Sequence, residues 1–108
     1  MALTKNSVVI ANNTTQTSAI SVGGGVVVGI DMPAAFTGTT LTAEHSLDGG
    51  VTWRQLYTPA GAAYSITVVA GKYIQVPASD LAGVDTIRFI SGSTETPART
   101  LTVVTRPV

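Results

Sequence analysis

Thr40-Leu41-Thr42-Ala43-Glu44-His45-Ser46-Leu47-Asp48-Gly49-Gly50-Val51-Thr52-Trp53-Arg54-Gln55-Leu56-Tyr57 is the stretch that decides the fold. Leu41, Ala43 and His45 alternate with Thr42, Glu44 and Ser46. Beyond Asp48-Gly49-Gly50, the residues Val51, Trp53 and Gln55 alternate with Thr52, Arg54 and Leu56. Period two on both sides of a turn signal describes a β-hairpin, because successive side chains of a strand point to opposite faces. The turn is encoded chemically. Glycine reaches positive φ without steric cost, and the Ser46 and Asp48 side chains are suited to accept hydrogen bonds from loop N–H groups. Trp53, the single tryptophan, offers the largest apolar area of any side chain and is expected to anchor the core from this hairpin.

Working outward, similar punctuation recurs. Residues 7–11 form a β-branched run closed by Asn12-Asn13-Thr14-Thr15, and residues 17–22 a Ser/Thr-rich strand ending at Gly23-Gly24-Gly25. Both read as edge strands, and the glycine triplet as a crossing between strands. Residues 26–30 are apolar apart from Gly29 and stop before Pro33, which suits a strand buried on both sides. Phe36, in the loop that follows, is expected in the core. Residues 64–69, 72–76, 85–91 and 99–105 read as further strands, residues 79–83 as one capped turn of helix, and residues 92–98 as a polar connection. With no helical period anywhere, eight or nine short strands make an all-β chain. The reading is a single antiparallel β-sandwich over residues 1–108, jelly-roll-like, with an immunoglobulin-like sandwich as the open alternative.

Composition narrows the function classes. Six Lys+Arg balance six Asp+Glu, so the electrostatic footprint of nucleic-acid binding is missing. Charged residues make up 11% of the chain, against about 25% in ordinary globular domains. A neutral, ion-poor surface lacks the self-repulsion that keeps small domains apart, which points to an assembled protein. Cys is absent, so packing alone must hold the fold. The first residues carry no secretory apolar region, and the apolar tract 22–30 is glycine-broken and too short for a bilayer. A soluble protein without a membrane partner is expected.

Chemistry-bearing residues are sparse. His45 is the only histidine, and its face of the hairpin favours a structural, hydrogen-bonded imidazole. No serine stands in a nucleophile-elbow context, and Asp31, Glu44, Asp48, Asp80, Asp85 and Glu95 occur singly rather than in the pairs that glycoside cleavage uses. Neither a metal nor a cofactor site is expected, and the chain is read as non-enzymatic. Arg54, Arg88, Arg99 and Arg106 lie in or beside strands with few acids nearby and form a candidate interface. Trp53, Tyr57, Tyr64 and Tyr73 make a candidate sugar-stacking platform, although three of them fall on strand positions that core packing explains.

Two resemblances add to this. Ser46-Leu47-Asp48-Gly49-Gly50-Val51-Thr52-Trp53 resembles the Asp box of sialidase-type propellers, where the motif is a structural hairpin outside the catalytic site. One copy cannot make a propeller, so the resemblance implies a turn, built by Ser46, Asp48, Gly49, Gly50 and Trp53. A wider pattern joins residues 35–42 (Ala-Phe-Thr-Gly-Thr-Thr-Leu-Thr), residues 46–53, Tyr73-Ile74-Gln75-Val76-Pro77, and Ile87-Arg88-Phe89-Ile90-Ser91-Gly92-Ser93. Over residues 33–105 it resembles the capsid decoration, or cement, proteins of tailed bacteriophages. That resemblance implies a virion protein on the capsid outer surface, assembled in the host cytoplasm as a homotrimer. Such a protein bridges copies of the major capsid protein to stabilise the head. Residues 1–30, and the 7–30 stretch in particular, are the candidate contact with the shell. The alternatives are a carbohydrate-binding sandwich or a tail or head-completion protein.

Overall fold

The computed structural model describes residues 3–22 and 25–107. Gly23 and Gly24, and with them most of the expected glycine crossing, lie outside the described residues. Among the described residues ten strands are formed: β1 Thr4–Ile10, β2 Thr14–Gln16, β3 Ile20–Ser21, β4 Gly25–Asp31, β5 Thr40–Ser46, β6 Arg54–Gln55, β7 Ser65–Thr67, β8 Tyr73–Gln75, β9 Thr86–Glu95 and β10 Arg99–Pro107. They build two antiparallel sheets. One runs β1-β10-β4-β8; in the other, β9 and β5 are central, β2 and β3 both pair with β9, and β6 and β7 both pair with β5.

Merging the two interrupted pairs leaves eight strand positions, four per sheet. Apart from the β5–β6 hairpin, every link between these positions crosses from one sheet to the other. This is jelly-roll connectivity, and it resolves the choice left open against an immunoglobulin-like sandwich. The interruptions explain why a continuous strand reading of residues 17–22 and 51–56 was too generous. Within residues 17–22 only Ile20–Ser21 is ladder-paired, and within 51–56 only Arg54–Gln55.

The core follows the period-two alternation except in β4, where the register shift opposite Val104 and Thr105 skips Val28 and brings Val27 and Ile30 to the same face. Val8 and Ile10 of β1, Val27 and Ile30 of β4, Leu41 and Ala43 of β5, Ile87 and Phe89 of β9, and Leu101 and Val103 of β10 point between the sheets. Phe36 joins them from its loop. Burying a large apolar side chain of this kind contributes roughly 1.5–3 kcal/mol. β4 lies between β10 and β8 as an interior strand, with Val26, Val27, Gly29 and Ile30 buried.

Three expectations are corrected. Residues 78–83 form turns rather than a helical turn, and Leu81 is driven fully into the core from them. The polar 92–98 segment is not all connection, because β9 continues to Glu95. Trp53 does not anchor the core. The loop between β5 and β6 sets a register in which Gln55 opposes Glu44, not Ala43. Trp53, two residues before Gln55, therefore falls on the outward row with Glu44 and Arg88, half-buried.

Candidate functional site

The loop after β5 is held by its own side chains. Ser46, buried at the strand end, accepts from the Gly50 N–H at 2.8 Å and donates to Asp48 Oδ1 at 2.7 Å. Asp48 Oδ1 also accepts from the Thr52 N–H at 2.8 Å. The Thr52 N–H and the Ser46 hydroxyl together hold the Asp48 carboxyl down at about 2. Gly49 and Gly50 sit at φ +76° and +99°, the left-handed region that favours glycine. The result is a fixed loop whose tip presents Leu47 and Val51, 81% and 82% exposed. His45, Leu47, Asp48, Thr52 and Arg54 line a shallow cleft of about 340 Å³ beside it.

The four arginines fall into two kinds. Arg88 reaches Glu44 across the β5–β9 ladder at 2.6 Å, with its guanidinium 4.1 Å from the Trp53 ring centroid. Arg99 reaches Glu95 at 3.2 Å. Both therefore have acids close by, contrary to the sequence reading. The pairing across the ladder and the β9–β10 turn brings those acids near. Arg54 and Arg106 are exposed.

Glu95 is the residue that sequence reasoning missed. It is 0% exposed, yet both carboxylate oxygens are satisfied. Oε1 accepts from the Thr37 N–H at 2.9 Å and from Arg99 Nε at 3.2 Å. Oε2 accepts from the Gly38 N–H at 2.9 Å and from the Ser91 hydroxyl at 3.1 Å. Burial pushes this carboxyl up, but the two backbone donors, with Arg99 and Ser91, outweigh it and hold the group below its ordinary value. Gly38 fits because a Cβ there would lie 2.3 Å from Ser91 Oγ. The only local signal was the Glu95-to-Arg99 spacing around Pro97; the partners at Thr37 and Gly38 lie more than fifty residues away.

His45 Nε2 accepts from the Asp85 N–H at 2.8 Å, tying β5 to the turn before β9. Among the described residues, no group of three or more His, Cys, Asp or Glu side chains is placed to hold a metal ion. The aromatic residues divide three ways. Tyr73 lies on the outer face of the β8 sheet, its hydroxyl above Gly29. Trp53 lies under Arg88 on the other sheet, and Tyr57 and Tyr64 share a groove. Tyr57 and Tyr73 are more than half exposed, so core packing does not explain them.

Residues 4–21 form one flank of the sandwich. β1 edges one sheet and β2 and β3 edge the other, joined by the Ile10–Thr17 bridge and the Ser18 N–H to Val9 C=O bond at 3.0 Å. Leu3 and Val9 are exposed there. Compared with protein-family models, curated proteins and solved structures, the chain matches none.

Proposed function

We propose that the chain is a non-enzymatic structural protein of a tailed-phage virion, decorating the capsid exterior as a homotrimer and bridging copies of the major capsid protein. The observation that carries this reading is the flank built by residues 4–21. β1 has a ladder partner on one side only; Ser18 and Thr17 engage its outer edge at Val9 and Ile10, but from there back to Thr4 that edge has no ladder partner among the described residues, and the exposed Leu3 and Val9 side chains flank it. Such an edge is a template for pairing with another chain unless something covers it. The charge balance and the ion-poor composition support a permanent assembly partner. Jelly rolls recur in viral capsid domains, an association of fold that lends support without fixing function. The Leu47–Val51 loop tip and the exposed Arg54 and Arg106 are further contact candidates on this reading.

The test is assembly. Sedimentation equilibrium of the purified chain at micromolar concentration should report a trimer, and the chain should cosediment with phage capsids stripped of decoration. A Val9→Asp variant should lose capsid binding while keeping its unfolding midpoint. A chain that stays monomeric and ignores capsids refutes the proposal. Counting copies per particle by mass spectrometry separates shell decoration from a tail or head-completion role.

A further inference from the structure

We infer that the groove between the 57–64 hairpin and the 78–83 turns is a binding site for a neutral saccharide. This is independent of the virion reading, since a monomer that ignores capsids can still bind a sugar.

Both walls of the groove are fixed by the backbone. On one side Tyr57 and Ala63 form a bridge, the Thr58 N–H donates to the Ala62 carbonyl at 2.8 Å, and Gly61 at φ +84° closes the turn. On the other, the Asp80 N–H donates to the Pro77 carbonyl at 3.0 Å, and Leu81 pins the segment to the core. The Tyr64 hydroxyl donates to Asp80 Oδ2 at 3.0 Å, so one side-chain bond spans the two walls. The space between them is about 580 Å³, within the range of small-ligand sites.

The lining selects the ligand class. Tyr57 is largely exposed and Tyr64 half-buried, giving ring surface against which the C–H face of a sugar can pack. Thr58, Ser65 and Ser79 contribute hydroxyls that both donate and accept, and Asp80 keeps Oδ1 as an acceptor. Burial and Asp80 push the Tyr64 hydroxyl well above the usual tyrosine range, which keeps it a donor. Among the described residues the lining contains no lysine, arginine or histidine, while Asp80 supplies negative charge. Phosphate, sulfate and sugar acids would meet repulsion without a counter-charge; a neutral polyhydroxyl ligand meets none. Trp53 lies outside this groove, with Arg88 over one face of its ring.

The experiment is an amide NMR titration of the full chain with neutral oligosaccharides of glucose, galactose, mannose and N-acetylglucosamine. One of them should shift residues 57–65 and 79–80 saturably. Tyr57→Ala, at an exposed position, should keep the spectrum of a folded chain and weaken that binding about tenfold or more. Trp53→Phe should leave affinity unchanged, and Trp emission should not respond to the sugar. The assignment is overturned if no neutral sugar saturates these shifts below about 10 mM. It is equally overturned if the shifts map to Trp53, if an acidic sugar binds more tightly, or if only a proline-rich peptide occupies the groove.

Discussion

The Asp48 loop and the Glu95 clamp solve the same problem in opposite settings. Each uses one carboxylate to hold a segment that has no ladder partners, Asp48 through the Thr52 N–H and the Ser46 hydroxyl and Glu95 through the Thr37 and Gly38 N–H groups. Asp48 works at the surface on donors within four residues of itself, whereas Glu95 works fully buried on donors 57 and 58 residues away. The difference teaches where a carboxylate's consequences are felt. A local, solvated anion organises one loop, and a buried, non-local one ties the loop before β5 to the β9–β10 turn.

Removing the buried anion should have the largest effect. Glu95→Ala leaves Arg99 and the Thr37 and Gly38 N–H groups without their acceptor. It should lower unfolding free energy by roughly 3–5 kcal/mol, read as a shift in the urea midpoint. Against a total of about 5–15 kcal/mol for a domain, that is a large share. Ser46→Ala should cost less, about 1 kcal/mol, and should accelerate amide exchange at Gly50 while protection in β9 falls no further than the loss of global stability requires. If the two variants cost the same, the contrast between local and non-local anchoring is wrong.

Acid sharpens the comparison further. Both folded-state carboxyls titrate below their ordinary values of 4.5 for Glu95 and 3.8 for Asp48. The unfolded chain therefore takes up protons first, and the stabilisation each provides is complete above those values and fades as pH falls through the folded ones. For Asp48 that window runs from about 3.8 down to about 2. Its loss should appear as local exchange at Thr52, the smallest of the three effects, whereas protonation of Glu95 should appear as global unfolding. Amide exchange and circular dichroism followed together through acid titration distinguish the two.

What the sequence made legible follows the same divide. The hairpin was readable because its alternation, glycines and Ser46–Asp48 chemistry all lie within a few residues of one another. The alternation of Ile87 and Phe89 against Arg88 and Ile90 likewise gave β9 its inward face, and the spacing of turn signals gave an all-β sandwich. Glu95 was illegible as a clamp because nothing near it in the chain announces Thr37 or Gly38. Trp53 was misplaced for a related reason: size argued for burial, but the face it takes depends on loop-set register, which alternation within one strand does not contain. The candidate groove was half visible. Tyr57 and Tyr64 stood out as aromatics, but their separation from Trp53 and Tyr73, and their partnership with Asp80, needed the fold.

The position of β10 carries a consequence for how the polypeptide comes to be. It lies between β1 and β4, so the earliest strand finds its ladder partner in the latest, Thr4 opposite Thr105. On a ribosome, β1 and β4 would emerge with their sheet's central member still unmade and would wait, edges open, until residue 107 cleared the exit tunnel. Linking the chain near Thr4 to the chain near Pro107 and reopening it at the 78–83 turns would make β10 and β1 consecutive and place both ahead of β4, shortening that interval of exposure.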